Sequence, residues 1–234
     1  MRRWARPRSS VVYRDRAEAG AVLAGALAAY RRAPGGIVLG LPRGGVPVAA
    51  EVAAALELPL DVFVVRKLGV PGQEELAFGA VASGGSRVLN HDVVAALGIS
   101  RETIERVASA AQDAVAERDR VYRGGRPMPD LAGRTVILVD DGLATGASMR
   151  AAVMAVRALG PEKLVVAVPV GARPTCRALG AGTRGGADEV ICVEMPEPFS
   201  AVGLWYDDFS EVSDADVTSR LRMYGEGVGK DRGT

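Results

Sequence analysis

The residues best suited to chemistry lie in one run, Val136 to Met149, "VILVDDGLATGASM". Four apolar residues lead straight into Asp140 and Asp141, and a loop of small residues follows: Gly142, Leu143, Ala144, Thr145, Gly146, Ala147 and Ser148. A buried strand that ends on two adjacent charges is costly unless something pairs with them. The loop suits close approach, because small residues let backbone N–H groups reach an anion and a helix beginning there adds partial positive charge. Thr145 and Ser148 add hydroxyl donors, which gives a phosphate seat made without a lysine. Aspartates would repel phosphate itself. They suit a neighbour that is hydroxylated or cationic, such as a sugar diol, a Mg²⁺ ion or a developing carbocation. A phosphate seat beside an acidic pair therefore implies a sugar phosphate held over Asp140 and Asp141.

Three further segments carry suitable side chains. "PRGG" (Pro42, Arg43, Gly44, Gly45) follows the apolar run "GIVLGL" and offers a guanidinium and two unhindered amides, which fit a diphosphate. The same four residues would also make an ordinary strand-to-helix turn. Arg66 and Lys67 close the apolar run of "LDVFVVRKL", where two cations could neutralise an anion or snorkel at a sheet edge. Phe199, Trp205, Tyr206 and Phe209 crowd one short stretch of a chain that is only 5% aromatic. They could stack on a planar ligand or pack a core.

The elements that must position these residues follow from hydrophobic pattern. Asp15 to Arg32 has apolar residues at helical spacing and ends at "APGG"; "GIVLGL" reads as a buried strand and "VPVAAEVAAALEL" as a helix with proline in its first turn. "LDVFVVRKL" reads as a second strand, so short loops join strand, helix and strand. That succession predicts an α/β fold, a mostly parallel twisted sheet flanked by helices. Gly69 to Gly85 is glycine-rich and poorly periodic, and reads as a mobile loop leading into a short hairpin at "SGGS". Arg101 to Tyr122 is a long charged helix with Ser100 as N-cap. Beyond Val136–Met149 come a helix to about Leu159, the strand "KLVVAVPV", a short helix near Arg173 and the strand "EVICV". After about Val217 the pattern decays to a polar tail.

Composition excludes several classes. At 234 residues and 48% hydrophobic the chain can bury a substantial core. A net charge of +1 gives no global electrostatic case for nucleic acid or membrane, and no apolar run approaches a membrane span. The basic stretch 1–10 lacks a following hydrophobic region, so it reads as a flexible tail and not a secretory signal, and the chain is expected to be cytoplasmic. Cys176 and Cys192 are too few for a disulfide framework, and no Cys/His spacing suggests a metal site. His91, the single histidine, has no nucleophile motif nearby. The glycine pattern Gly180 to Gly185 runs from helix to strand, the wrong order for a dinucleotide site.

"VILVDDGLATGASM" resembles the phosphoribosyl pyrophosphate (PRPP) motif of the type I phosphoribosyltransferases. "LPRGG" is similar to their pyrophosphate loop, "VVRKLG" to the strand end that leads into a flexible catalytic loop, and "PEPFSAVGLWYDDF" to the base-binding hood of the purine-type members. The resemblance implies the type I fold over 11–217, with a flexible loop and helical insertion over 69–130, a hood over 193–212 and a flexible tail over 218–234. It also implies a non-proline cis peptide at Pro42–Arg43.

The implied reaction moves ribose 5-phosphate from PRPP to a nitrogenous base, with Mg²⁺ bound alongside PRPP, pyrophosphate released, and a homodimer expected. Gly142 to Ser148 would then hold the 5-phosphate, Asp140 and Asp141 the ribose hydroxyls, and Arg43 to Gly45 with Arg66 and Lys67 the pyrophosphate. Phe199, Trp205 and Tyr206 would meet the base, and Asp207 or Asp208 the Mg²⁺. Purine-specific members place an aspartate where this chain has Ala144. That departure implies a nucleophile needing no such acid, or a regulatory protein that binds PRPP or nucleotide with little or no turnover. A hydrolase acting on a phosphorylated sugar or nucleotide is a third reading of the same residues.

Overall fold

The structure, a computed structural model, describes residues 12–180 and 185–224. Within them, five short apolar runs pair side by side as β1 (Ile37–Gly40), β2 (Leu60–Val62), β6 (Thr135–Val139), β7 (Lys163–Val170) and β8 (Glu189–Glu194). All pairings are parallel and the order is β2-β1-β6-β7-β8. The strands are apolar nearly end to end because helices cover both faces. Alternation divides the side chains: Val38 and Ile137 join one cluster with α1 (Arg16–Ala26) and α2 (Gly45–Leu56). Leu39, Val136 and Leu138 join the other with Met149, Val153 and Val156 of α5 (Ala147–Ala158).

This topology decides where a ligand can sit. The chain leaves β1 toward β2 on one side, and its other neighbour is β6. Strand order therefore reverses between β1 and β6, and the crevice at their carboxyl ends is where open α/β sheets bind ligands. Gly40 lies beside Val139, and Leu41 N–H donates to the Val139 carbonyl (2.9 Å). "PRGG" and the acid pair thus emerge side by side at the switch.

A second sheet corrects two expectations. "LDVFVVRKL" is not one strand. It breaks after β2, and β3 (Val65–Val70) starts an antiparallel sheet of order β3-β4-β5 with β4 (Gln73–Ala82) and β5 (Ser86–Leu89). The break is held by Ser83, whose Oγ accepts from Val64 N–H (2.8 Å) and whose N–H donates to the Val64 carbonyl (2.8 Å). Gly69–Gly85, expected to be a mobile loop, is mostly strand. Phe78, Ala80, Val81 and Ala82 are buried, and the reversal is confined to Pro71–Gly72. Helices pack against this sheet too, so the segment shows no polar alternation.

The insertion continues through α3 (His91–Ala96) to α4 (Arg101–Arg123), with Ser100 Oγ capping Thr103 N–H (3.1 Å). A buried ion pair fastens α4 to the main sheet, Arg123 Nε to Asp61 Oδ1 at 3.0 Å. Arg123 also meets Asp119, which accepts from the Ser83 hydroxyl (2.7 Å). After α6 (Arg173–Ala178), Cys176 and Cys192 form a disulfide that ties this helix to β8. Two cysteines 16 residues apart carry no sign of that pairing until helix and strand are laid together.

The polar tail expected from 218 is corrected as far as Tyr224. α7 (Asp214–Tyr224) buries Val217 and Leu221 in the main core. Residues 1–10, 225–234 and most of the Gly180–Gly185 stretch lie outside the described residues. No helix among the described residues is long and apolar enough to cross a membrane.

Candidate active site

β6 delivers Asp140 and Asp141 to the switch point, and the "PRGG" turn lies directly against them. A Cβ on Gly44 would stand 2.0 Å from Asp141 Oδ2, and one on Gly45 would stand 2.8 Å from Asp140 Cα. Only glycine permits this approach. The Pro42–Arg43 peptide is cis. Asp140, Arg43, Arg66 and Ser148 line one cavity of about 360 Å³ together with Arg118 and Tyr122 of α4.

The two acids have different partners. Asp140 Oδ1 accepts from Asp141 N–H (2.9 Å); burial, then the neighbouring Asp141 charge, push its carboxyl well above the usual carboxylate range. Asp141 Oδ2 pairs with Arg16 Nε at 2.9 Å, both side chains being nearly buried. Burial raises Asp141 as well, and Arg16 works against that rise. The Asp141 carbonyl accepts from the Tyr206 hydroxyl (2.6 Å). Arg16 comes from the first turn of α1, held in place because Tyr13 N–H donates to Trp205 O (2.9 Å) and Asp207 N–H donates to Tyr13 O (2.8 Å).

The small-residue loop starts α5. Gly146 is its N-cap, at φ 69°, with no side-chain cap bond, so Ser148 does not serve as the cap. The first amides of a helix lack intrahelical acceptors, and here they face a loop whose Thr145 and Ser148 are exposed. The loop is braced from behind: Leu143 N–H donates to Val170 O (3.0 Å) and Thr175 Oγ1 donates to Ala144 O (2.7 Å). A Cβ on Gly146 would meet the Thr175 methyl at 2.4 Å. The arrangement can hold an anion at the helix start, hydroxyls at the acids and a second anion at "PRGG".

Residues 23–181 match the family described as the phosphoribosyl transferase domain. The chain belongs to that family. It is 46% identical over 210 residues to "Putative phosphoribosyl transferase MT0597" of Mycobacterium tuberculosis strain CDC 1551 / Oshkosh, and equally to "Putative phosphoribosyl transferase Rv0571c" of strain H37Rv. The match covers 90% of this chain and 46% of theirs, so the chain spans about half the length of these curated relatives. The crystal structure of TT1426 from Thermus thermophilus is similar at 44% identity and a TM-score of 0.81, over 92% of this chain and 99% of that one. The sheet order and flanking helices are those of the type I phosphoribosyltransferase fold.

Within this phosphoribosyl transferase domain the expected site residues part company. Arg66 and Lys67 are neighbours on β3, so they point to opposite faces. Arg66 lines the cavity and Lys67 does not. Trp205 and Tyr206, expected to meet a base, are 4% and 2% exposed and pack with Tyr13 inside the hood. Phe199 stacks on Trp205 at 6.1 Å, and Trp205 Nε1 is buried without an acceptor among the described residues. Phe209 presents its face to the Arg16 guanidinium, 3.9 Å from the ring centroid.

Asp207 and Asp208 are exposed, and Asp208 accepts from Ser210 N–H (2.9 Å). Among the described residues no cluster of three His, Cys, Asp or Glu side chains could hold a metal. His91 is exposed at the start of α3. Sequence reasoning missed Arg16, Thr175 and Arg118. None sits in a motif, and each reaches the site only through chain folding.

Proposed function

We propose that this domain transfers the 5-phosphoribosyl group of PRPP to a nitrogen nucleophile and releases pyrophosphate. One observation carries the reading: the phosphate loop, the acid pair and the diglycine turn converge at the reversal of strand order. The amides of 144–148 with Thr145 and Ser148 take the 5-phosphate. Asp140 accepts from the ribose hydroxyls, and Asp141 does so in competition with Arg16. Arg43, the Gly44 and Gly45 amides and Arg66 take the pyrophosphate.

In the reaction the bond from the anomeric carbon to the pyrophosphate oxygen breaks, and a bond to nitrogen forms on the opposite face. Positive charge develops on the sugar, so positioning and fixed charge do most of the work. Asp140 lies under that charge, desolvated and without a salt bridge among the described residues.

Mg²⁺ is held through one or two carboxylates plus substrate phosphates and not in an all-protein cage. A cavity-facing Asp140 fits that requirement, and so would Asp207 or Asp208 from the hood. When bound, the ion would neutralise pyrophosphate charge beside Asp140. A base entering under the hood would meet Phe199, which stacks on the buried Trp205.

Ala144 favours a second reading. Its carbonyl is tied to Thr175, and its methyl can exchange no proton with a base. A domain that binds PRPP or a nucleotide and turns over weakly would have that feature. Incubating protein, PRPP and Mg²⁺ with a panel of bases separates the readings. Base-dependent pyrophosphate release supports transfer, tight PRPP binding without release supports the second, and release independent of base supports hydrolysis. Asp141→Asn should lower PRPP binding and release by about tenfold or more, the scale of a lost charged hydrogen bond; unchanged values would remove Asp141 from the site.

A further inference from the structure

One wall of the cavity belongs to the inserted helix, and none of the sequence motifs accounts for it. Ala114, Arg118 and Tyr122 recur every four residues, one stripe of α4, and all three line the cavity shared by Asp140, Arg43 and Arg66. Arg118 is held in a fixed place. Its Nη1 donates to Tyr122 Oη (2.8 Å) and to Asp214 Oδ1 of α7 (3.1 Å), and the Tyr122 hydroxyl donates to the same carboxylate oxygen (2.7 Å). Those contacts use one nitrogen only. Nε and Nη2 keep three N–H donors with no acceptor among the described residues, on a side chain that is 49% exposed. The helix beneath it cannot drift, because Arg123, five residues on, is buried against Asp61 and Asp119.

A guanidinium anchored at one corner and open along its fork is preorganised for a phosphate edge. The other cations of the cavity leave room for it. Arg43 is paired with Glu211, so the cavity meets a pyrophosphate group with less free positive charge than its arginines suggest. Resting on the phosphoribosyl transfer reading, we infer that Arg118 is a substrate-binding residue that donates to the pyrophosphate group of PRPP from the α4 wall of the cavity. The inserted helix then supplies, from a rigid element, a contact that a mobile loop would otherwise have to bring.

Calorimetric titration of the full chain with PRPP, inorganic pyrophosphate and ribose 5-phosphate, each with Mg²⁺, tests the assignment. Arg118→Ala should weaken PRPP and pyrophosphate binding by about tenfold or more, the effect of losing a charged fork, and leave ribose 5-phosphate unchanged. Arg118→Lys, which keeps charge without the fork, should recover part of the loss. Arg120→Ala, on the same helix but paired with Glu117 away from this cavity, should bind all three as the parent does. If the alanine variant does not fold, Arg118→Gln keeps the stem and a donor to Asp214 and should show the same selective loss. Parent-like pyrophosphate affinity in the Ala or Gln variant overturns the inference, and so does an equal loss for ribose 5-phosphate. A parent chain that binds neither PRPP nor pyrophosphate overturns this inference and the transfer reading together, whereas a parent that binds both beside an unaffected variant overturns the inference alone.

Discussion

Asp140 carries the opposing demands of the site. Burial and the adjacent Asp141 raise its proton affinity, and the bond from Asp141 N–H and the charge of Arg16 only partly offset this. The folded chain therefore binds that proton more readily than the unfolded chain does. Stability from this group rises as pH falls through the raised value. Asp140→Asn should flatten this acid-side gain in a pH series of denaturant unfolding. Substrate hydroxyls need the ionised form, so parent PRPP affinity should fall as pH is lowered while the variant's stays weak at every pH. An undiminished acid-side gain in the variant would mean that another group carries it. The acid pair was legible because two charges interrupt an apolar run. Its partner Arg16 was not, since the two lie 125 residues apart and meet only after the N-terminal segment pairs with the hood.

At the scale of elements, alternation along β3 decides what adjacent cations can do. Arg66 reaches the cavity and Lys67 faces away, although both stood together at the end of an apolar run. Arg66→Ala should weaken pyrophosphate binding by about tenfold, as for a lost charged hydrogen bond, and Lys67→Ala should change it little; equal effects measured by titration would place Lys67 in the cavity after all. The run "LDVFVVRKL" is visible in the sequence but its break after β2 is not. That break depends on Ser83, 19 residues away, bonding the Val64 backbone. β4 was hidden for a related reason. A strand covered on both faces shows no alternation, and Gly79 with the glycines that flank the strand imitates a loop.

For the whole molecule, the two ends of the described chain close the site from outside the sheet. Tyr13–Arg16 docks on the hood, and α7 joins the main core while Asp214 steadies Arg118. Leu221 is 1% exposed, so Leu221→Ala should cost about 2–5 kcal/mol in denaturant unfolding, where a solvated tail would lose nothing. α7 had left a signal in the sequence, the Ser213–Asp216 reciprocal cap, with Asp216 N–H donating to Ser213 Oγ (3.1 Å) and Ser213 N–H donating to Asp216 Oδ2 (3.0 Å). Only two apolar residues follow it at helical spacing, and such a sparse stripe reads as polar until a core is there to receive it. The parallel sheet was legible for the opposite reason, because strands buried on both sides carry long apolar runs.

Every role proposed for the site depends on PRPP binding in the crevice between β1 and β6. Titrating the parent chain with PRPP and Mg²⁺, with ribose 5-phosphate and pyrophosphate as separate ligands, tests this most directly. Saturable PRPP binding that each fragment displaces is the predicted result. A chain that binds none of the three would contradict it.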